Sequence, residues 1–157
     1  MYETRKDLSM DTYDVTPTIS TTQAYEELVR QFYVPFNTGD VSIYDRILAP
    51  DWIDDPISPG QQPGPDGFKA KIIEFRQTIP GYHVTNDEIL VAGNEVAVHS
   101  TVRSTLRNTA SGASQTDRPF EMRTCDFHHI EHWKIVYTWH LEDFYGLFQY
   151  LGALPGH

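Results

Sequence analysis

The segment Tyr137-Thr-Trp-His-Leu-Glu-Asp143 places a histidine and two carboxylates within four residues, at the end of a β-branched and aromatic run. Histidine has an unperturbed pKa of about 6.5, so modest shifts poise His140 to give or take a proton near neutrality. A carboxylate bonded to the ring would orient it, fix its tautomer and stabilise its charged form. The same residues also suit a strand running out into solvent, with Glu142 and Asp143 opening a final helix whose dipole favours carboxylates. Asp126, His128 and His140 could in principle form a facial cluster of two histidines and a carboxylate. Neighbouring acid–base groups need no ion, so no metal is expected. The chain carries no glycine-rich phosphate loop after a strand, and no cysteine–histidine or G-x-S-x-G nucleophile pattern.

Elements able to position these groups follow from the periodicity. Residues 1–19 are polar and aperiodic and read as a loose arm; residues 20–157 read as one domain. Ser20, Thr21 and Thr22 are candidate N-caps for a helix in which Ala24, Leu28, Phe32 and Phe36 recur every four residues, ending at Asn37-Thr38-Gly39. Ser42 can cap a shorter helix through Leu48. Residues 55–67 are dense in proline and glycine and read as a loop, and Asp54 and Asp55 enter from the loop before the third helix. Phe68, Ile72, Ile73 and Phe75 mark that helix, stopped at Pro80-Gly81.

The period then changes to two. Val84–Val91, Glu95–Leu106, Phe120–Ile130 and Lys134–Leu141 read as four strands, with a polar hairpin loop at Asn108–Asp117. Phe144, Leu147, Phe148 and Leu151 form a last amphipathic piece. Helices first and a meandering antiparallel sheet afterwards indicate an α+β fold with helices on one face of a curved sheet.

At 157 residues the chain can bury one substantial core. Its formal net charge of −10, without a basic cluster, makes nucleic acid and anionic membranes poor partners. A single cysteine, Cys125, excludes an internal disulfide and multi-cysteine zinc patterns. With no apolar run of signal-peptide or membrane-spanning kind, a soluble cytosolic protein is expected.

Three segments, in this order and spacing, carry a resemblance. They are Phe36-Asn-Thr-Gly-Asp40, Ala49-Pro-Asp-Trp-Ile-Asp-Asp-Pro56, and Lys134-Ile-Val-Tyr-Thr-Trp-His-Leu-Glu-Asp143 followed by Leu151-Gly152. From about Ala24 to Leu154 the chain resembles the SnoaL-like polyketide and ester cyclases of the nuclear-transport-factor-two-like superfamily. The resemblance implies a cone-shaped, curved antiparallel sheet wrapped around the N-terminal helices and enclosing an apolar pocket. It also implies cofactor-free, intramolecular aldol chemistry on an apolar, carbonyl-bearing substrate such as a polyketide or terpenoid intermediate of secondary metabolism. By position, the family's acid–base carboxylate falls on His140, its partner histidine on Asp126, and a pocket asparagine on Asp54. The acid–base pair is therefore exchanged.

A three-residue turn at Glu131-His132-Trp133 would set Asp126 opposite Thr138 and diagonal to His140, within side-chain reach. A two-residue turn would turn His140 to the other face. On this reading His140 and Asp126 are the catalytic pair, His140 as general base and Asp126 as its orienting carboxylate. Asp54, Asp55, Thr124, Thr138, Phe36, Trp52 and Ser100 contact substrate. The other face of the last strand, with Ile135, Tyr137, Trp139 and Leu141, is apolar and would meet a second copy in a homodimer. The rival readings are a non-catalytic ligand-binding or accessory module of the same fold, and an epoxide hydrolase. The hydrolase needs an arginine among pocket carboxylates, where Ser100 and Val102 stand instead.

Overall fold

A computed structural model describes residues 20–79, 81–106 and 118–151. The expected arm at 1–19 and the hairpin loop at 108–117 lie outside these residues. Helix α1 (Thr21–Thr38) is followed by a 3-10 turn (Val41–Ile43), α2 (Tyr44–Ile47), β1 (Leu48–Asp55) and α3 (Gly64–Thr78). Strands β2 (His83–Ala92), β3 (Glu95–Leu106), β4 (Arg118–Glu131) and β5 (Lys134–Glu142) lead to α4 (Phe144–Leu151). The five strands form one sheet in the order β1-β5-β4-β3-β2. The α+β class is as expected, but the sheet is mixed, because β1 runs parallel to β5.

Local chemistry explains the boundaries of α1. Ser20 accepts from the Gln23 amide at 3.2 Å while the Gln23 side chain accepts from the Ser20 amide at 3.0 Å, a capping box. At the other end Gly39 takes φ 84°, a left-handed cap that a β-carbon would strain. Just before it, the Asn37 amide donates to the Val84 carbonyl at 2.9 Å and accepts the Val84 amide at 2.7 Å. Asp40 accepts from the Ser42 amide at 3.2 Å, so Asp40, not Ser42, opens the next turn. The Asn-Thr-Gly-Asp segment thus ends α1, starts the 3-10 turn and pins β2 to the helix.

The segment expected as a plain loop entry is strand β1. Pro50 and three aspartates give Leu48–Asp55 little strand propensity. It survives as an edge strand, with its register shifted between Leu48 and Ile53 around the proline. Asp54 pairs with Thr138 and faces the helices; Asp55 pairs with Trp139 and faces away.

The β4–β5 register also departs from both sequence alternatives. The turn is two residues long, His132 and Trp133, with φ of 48° and 62°, as the backbone twist of a tight hairpin requires. Trp133 occupies this left-handed conformation with its ring edge-on to Tyr25 of α1, centroids 5.2 Å apart. A bulge follows: Ile130 pairs with Ile135, but His129 pairs with Tyr137. The extra residue, Val136, cancels the inversion of a two-residue turn and brings His140 directly opposite Asp126 on the inner face. Before the bulge, Ile135 faces the core and is fully buried, so it does not belong to the outer apolar patch.

The core lies between the sheet and α1 and α3. Phe32 touches the rings of Tyr33, Phe36, Tyr44, Trp52, Phe68 and His128. Much of the interior expected as an apolar pocket is therefore filled by the chain's own aromatic side chains. Val96, Val98, Ser100 and Val102 of β3 line the same face, all buried. At the start of α3, a β-carbon on Gly67 would sit 1.8 Å from the Gln62 carbonyl oxygen. We expect Gly67→Ala to destabilise the fold by ~1–3 kcal/mol, the cost of overpacking against backbone, measured as a shift in the urea midpoint. The strain falls on the loop that carries Gln61 to the site described next.

Candidate active site

Three strands bring the titratable groups together on the inner face of the sheet. Strand β5 supplies His140 and Glu142, β4 supplies Thr124, Asp126 and His128, and β1 supplies Asp54. His140 Nδ1 lies 2.8 Å from Glu142 Oε1 in a hydrogen bond. Its Nε2 lies 3.2 Å from Asp54 Oδ1. That second contact pairs the ring with a carboxylate whose side chain is almost wholly buried. Gln61 Nε2 donates to the other Asp54 oxygen at 2.7 Å and holds that carboxylate in place. The Gln61 Oε1 atom is buried and has no partner among the described residues.

This geometry corrects the expected pairing. Asp126 lies across from His140, but no ion pair joins them; Asp54 and Glu142 are the carboxylates that orient and charge the ring. Burial pulls the His140 pKa down, and these two carboxylates more than reverse it, to about 10. The His140 ring is therefore held as an imidazolium at neutral pH. Asp126 behaves in the opposite sense. Burial drives its pKa up to about 7, against the lowering influence of His140 and Tyr33. Its nearest hydrogen-bond donor on the strand, Thr124, is 3.5 Å away. A desolvated carboxyl of this kind changes its protonation near neutrality.

His128 lies deepest. It is fully buried, and burial together with the His140 charge lowers its pKa to about 3, so the ring is neutral. Its Nε2 is 2.9 Å from the Tyr33 hydroxyl and its Nδ1 is 3.0 Å from Thr138 Oγ1. With both nitrogens occupied, His128 cannot join Asp126 and His140 around a metal. Tyr82 stacks against both Phe36 and Phe75. Burial raises its pKa, and the nearby Glu142 and Asp126 charges raise it further.

The remaining expected contacts divide by face and depth. Asp55 is on the wrong face for substrate and accepts from the Tyr137 hydroxyl at 2.6 Å. Trp52 and Thr138 are buried core; the indole Nε1 donates to Thr138 Oγ1 at 3.0 Å. Ser100 is likewise buried and accepts from Asn86 at 3.0 Å. Phe36 and Thr124 are half-buried. A cavity of about 420 Å³ touches Thr124 and Glu142, but His99, Cys125 and Leu141 also line it from the outer face, and Asp126 and His140 do not.

Sequence reasoning missed Tyr33, Gln61, Tyr82 and the roles of Glu142 and His128. Tyr33 was legible only as part of a helical apolar stripe, and Gln61 lies in a segment whose conformation no periodicity sets. For Glu142 the signal was present, two residues beyond His140 on one strand face.

A sequence model of the SnoaL-like polyketide cyclases matches residues 27–151. Similar solved structures include TsrD from Streptomyces laurentii, 24% identical with a TM-score of 0.71, covering 87% of this chain and 100% of that one. IdmH from Streptomyces antibioticus, a candidate polyketide cyclase, is 25% identical with a TM-score of 0.70, covering 82% and 98%. A candidate polyketide cyclase from Bacillus cereus is 23% identical with a TM-score of 0.71, covering 88% and 89%. No curated protein matches the chain significantly. Because the family match takes in both the helical half and the strands bearing Asp126 and His140, the chain belongs to the SnoaL-like polyketide cyclase family.

Proposed function

We propose that this protein is an acid–base cyclase or isomerase for an apolar, carbonyl-bearing small molecule, with Asp126 as base and His140 as acid. Family membership supports a cyclase or isomerase role. The observation that carries the assignment is the opposed pair on one sheet face: a desolvated carboxyl at about 7 across from an imidazolium at about 10. Groups whose environments push their pKa values apart can take acid and base roles at one pH. In an aldol closure the Asp126 carboxylate removes the proton beside a carbonyl, leaving an enolate. The enolate carbon forms the new C–C bond to a second carbonyl, whose π pair becomes an alkoxide. His140 Nε2 gives that alkoxide its proton, and Asp54 and Glu142 stabilise the imidazolium that does so.

An aromatic β-ketoester in D2O tests the first half without the natural substrate. Wild-type protein should exchange the α-proton faster than Asp126→Asn, read by proton NMR. Equal rates would remove Asp126 as base. The filling of the interior by Phe32 and its neighbours favours a second reading, a non-catalytic ligand-binding module. Wild-type protein exchanging no faster than buffer, while still binding the ester, would favour that module.

Assembly forms part of the proposal. Phe127, Trp139 and Leu141 are 45%, 37% and 59% exposed on the outer sheet face, an apolar patch large for a monomer. We expect a homodimer through this face, and a monomer on Leu141→Lys, by light scattering at micromolar concentration. A wild-type monomer would contradict it. Among the described residues no helix is long and apolar enough to cross a membrane.

A further inference from the structure

We propose that Asn86 is a specificity-determining residue, its side-chain amide binding a hydroxyl at the far end of a fused-ring substrate. The inference deepens the reading of Asp126 and His140 as the reacting pair and rests on it.

The strand register bands the inner face of the sheet. Asn86 pairs with Ser100, Ser100 with Thr124, and Thr124 with Glu142, a polar row from β2 to β5. On one side lies the row Val98, Asp126 and His140. On the other lies the row Val84, Val102 and Met122, all buried. A molecule reacting at Asp126 and His140 therefore has hydrogen-bonding groups along one flank and an apolar wall beyond them. Members of the polar row differ in the capacity they have left. Ser100 is fully buried, and Glu142 Oε1 is already bonded to His140 Nδ1 at 2.8 Å. Asn86 is half-buried, and its Nδ2 donates to Ser100 Oγ at 3.0 Å. A primary amide carries two N–H donors and an acceptor oxygen, so this bond leaves one N–H and the Oδ1. Among the described residues neither has another partner.

Backbone geometry holds the amide there. Asparagine is a poor strand former, yet it sits inside β2 where the register shifts between Asn86 and Glu88. Asp87, between them, accepts from the buried Thr101 hydroxyl at 2.5 Å on the outer face of the sheet. Bulges re-aim side chains, and this one is clamped from outside, which keeps Asn86 on the inner face. Distance then sets the class of ligand. Asn86 is two strands and one row from Asp126, ~12 Å between backbones at about 4.8 Å per strand and ~3.3 Å per residue. Both side chains reach inward, so the gap left between them is shorter and suits a fused-ring arene. A hydroxyl on the far ring can both donate to Oδ1 and accept from the spare N–H.

A pair of naphthoyl β-ketoesters, one with a hydroxyl on the far ring and one without, tests this on the whole protein. Wild type should bind the hydroxylated ester ~3–10-fold more tightly, the net worth of one hydrogen bond, by NMR titration. The Asn86 side-chain amide resonances should also shift more with that ester. Equal affinities, or equal amide shifts, overturn the proposal without any variant. Asn86→Leu should bind both esters alike. A merely structural role for Asn86 would weaken both by the same factor and keep the preference, which overturns the proposal. Failure of the acid–base reading looks different: α-proton exchange in Asp126→Asn would match wild type while the preference for the hydroxylated ester stood.

Discussion

Replacing Asp126 with asparagine is expected to slow proton abstraction by ~10²–10⁴-fold, the usual worth of one positioned acid–base group, while making the fold more stable at neutral and alkaline pH. Both effects come from the same burial. The raised pKa, about 7 against an ordinary 3.8, means that the folded protein favours the protonated carboxyl. That preference supports the fold fully below the ordinary value and is lost as pH rises through about 7. Above it, a buried carboxylate is retained at a cost on the order of 4 kcal/mol at most. Asparagine keeps the shape and removes the charge. Activity in the wild type should accordingly rise through about 7 as Asp126 ionises and fall toward about 10 as His140 loses its proton. Thermal melts and pH–rate profiles of the two proteins check both halves. An asparagine variant that is inactive and also less stable at pH 8 would contradict the account.

His140→Ala should damage the fold as well as the chemistry. The imidazolium neutralises Asp54, whose side chain is 3% exposed, and Glu142, at 29%. Removing one partner of a buried ion pair leaves the other uncompensated and typically costs ~3–5 kcal/mol. The partial exposure of Glu142 places this case at about 3 kcal/mol or below. The pH dependence has a definite sign. The raised His140 pKa contributes stability that is complete below 6.5 and disappears as pH rises through about 10. The gap between wild type and variant should therefore narrow on the alkaline side. Urea denaturation across pH checks this; a constant difference from pH 5 to 10 would argue against the ion-pair network.

The strands and helices were largely legible because their periods are clean. Gly39 and the alternation from Glu95 to Leu106 mark their elements unaided, while the N-cap, open among Ser20, Thr21 and Thr22, is Ser20. Strand β1 was not, because Pro50 and its aspartates oppose strand formation locally and only pairing with β5 overrides them. The hairpin shows the same limit more sharply. His132 and Trp133 are poor residues for positive φ, so the turn length could not be read from composition. Nor does anything in Ile135-Val136 announce the bulge. That single extra residue decides whether His140 meets the core or solvent. His140 and Asp126 were recognised as a pair, but their roles depend on burial and on Asp54 and Glu142, which are tertiary facts.

The polarity of that pair is the centre of the account, and a nitrogen-15 titration of the His140 ring tests it most directly. The ring should remain an imidazolium through neutrality and release its proton only near about 10. A midpoint at or below the ordinary 6.5 would make His140 a base at neutral pH and contradict the assignment of acid to His140 and base to Asp126.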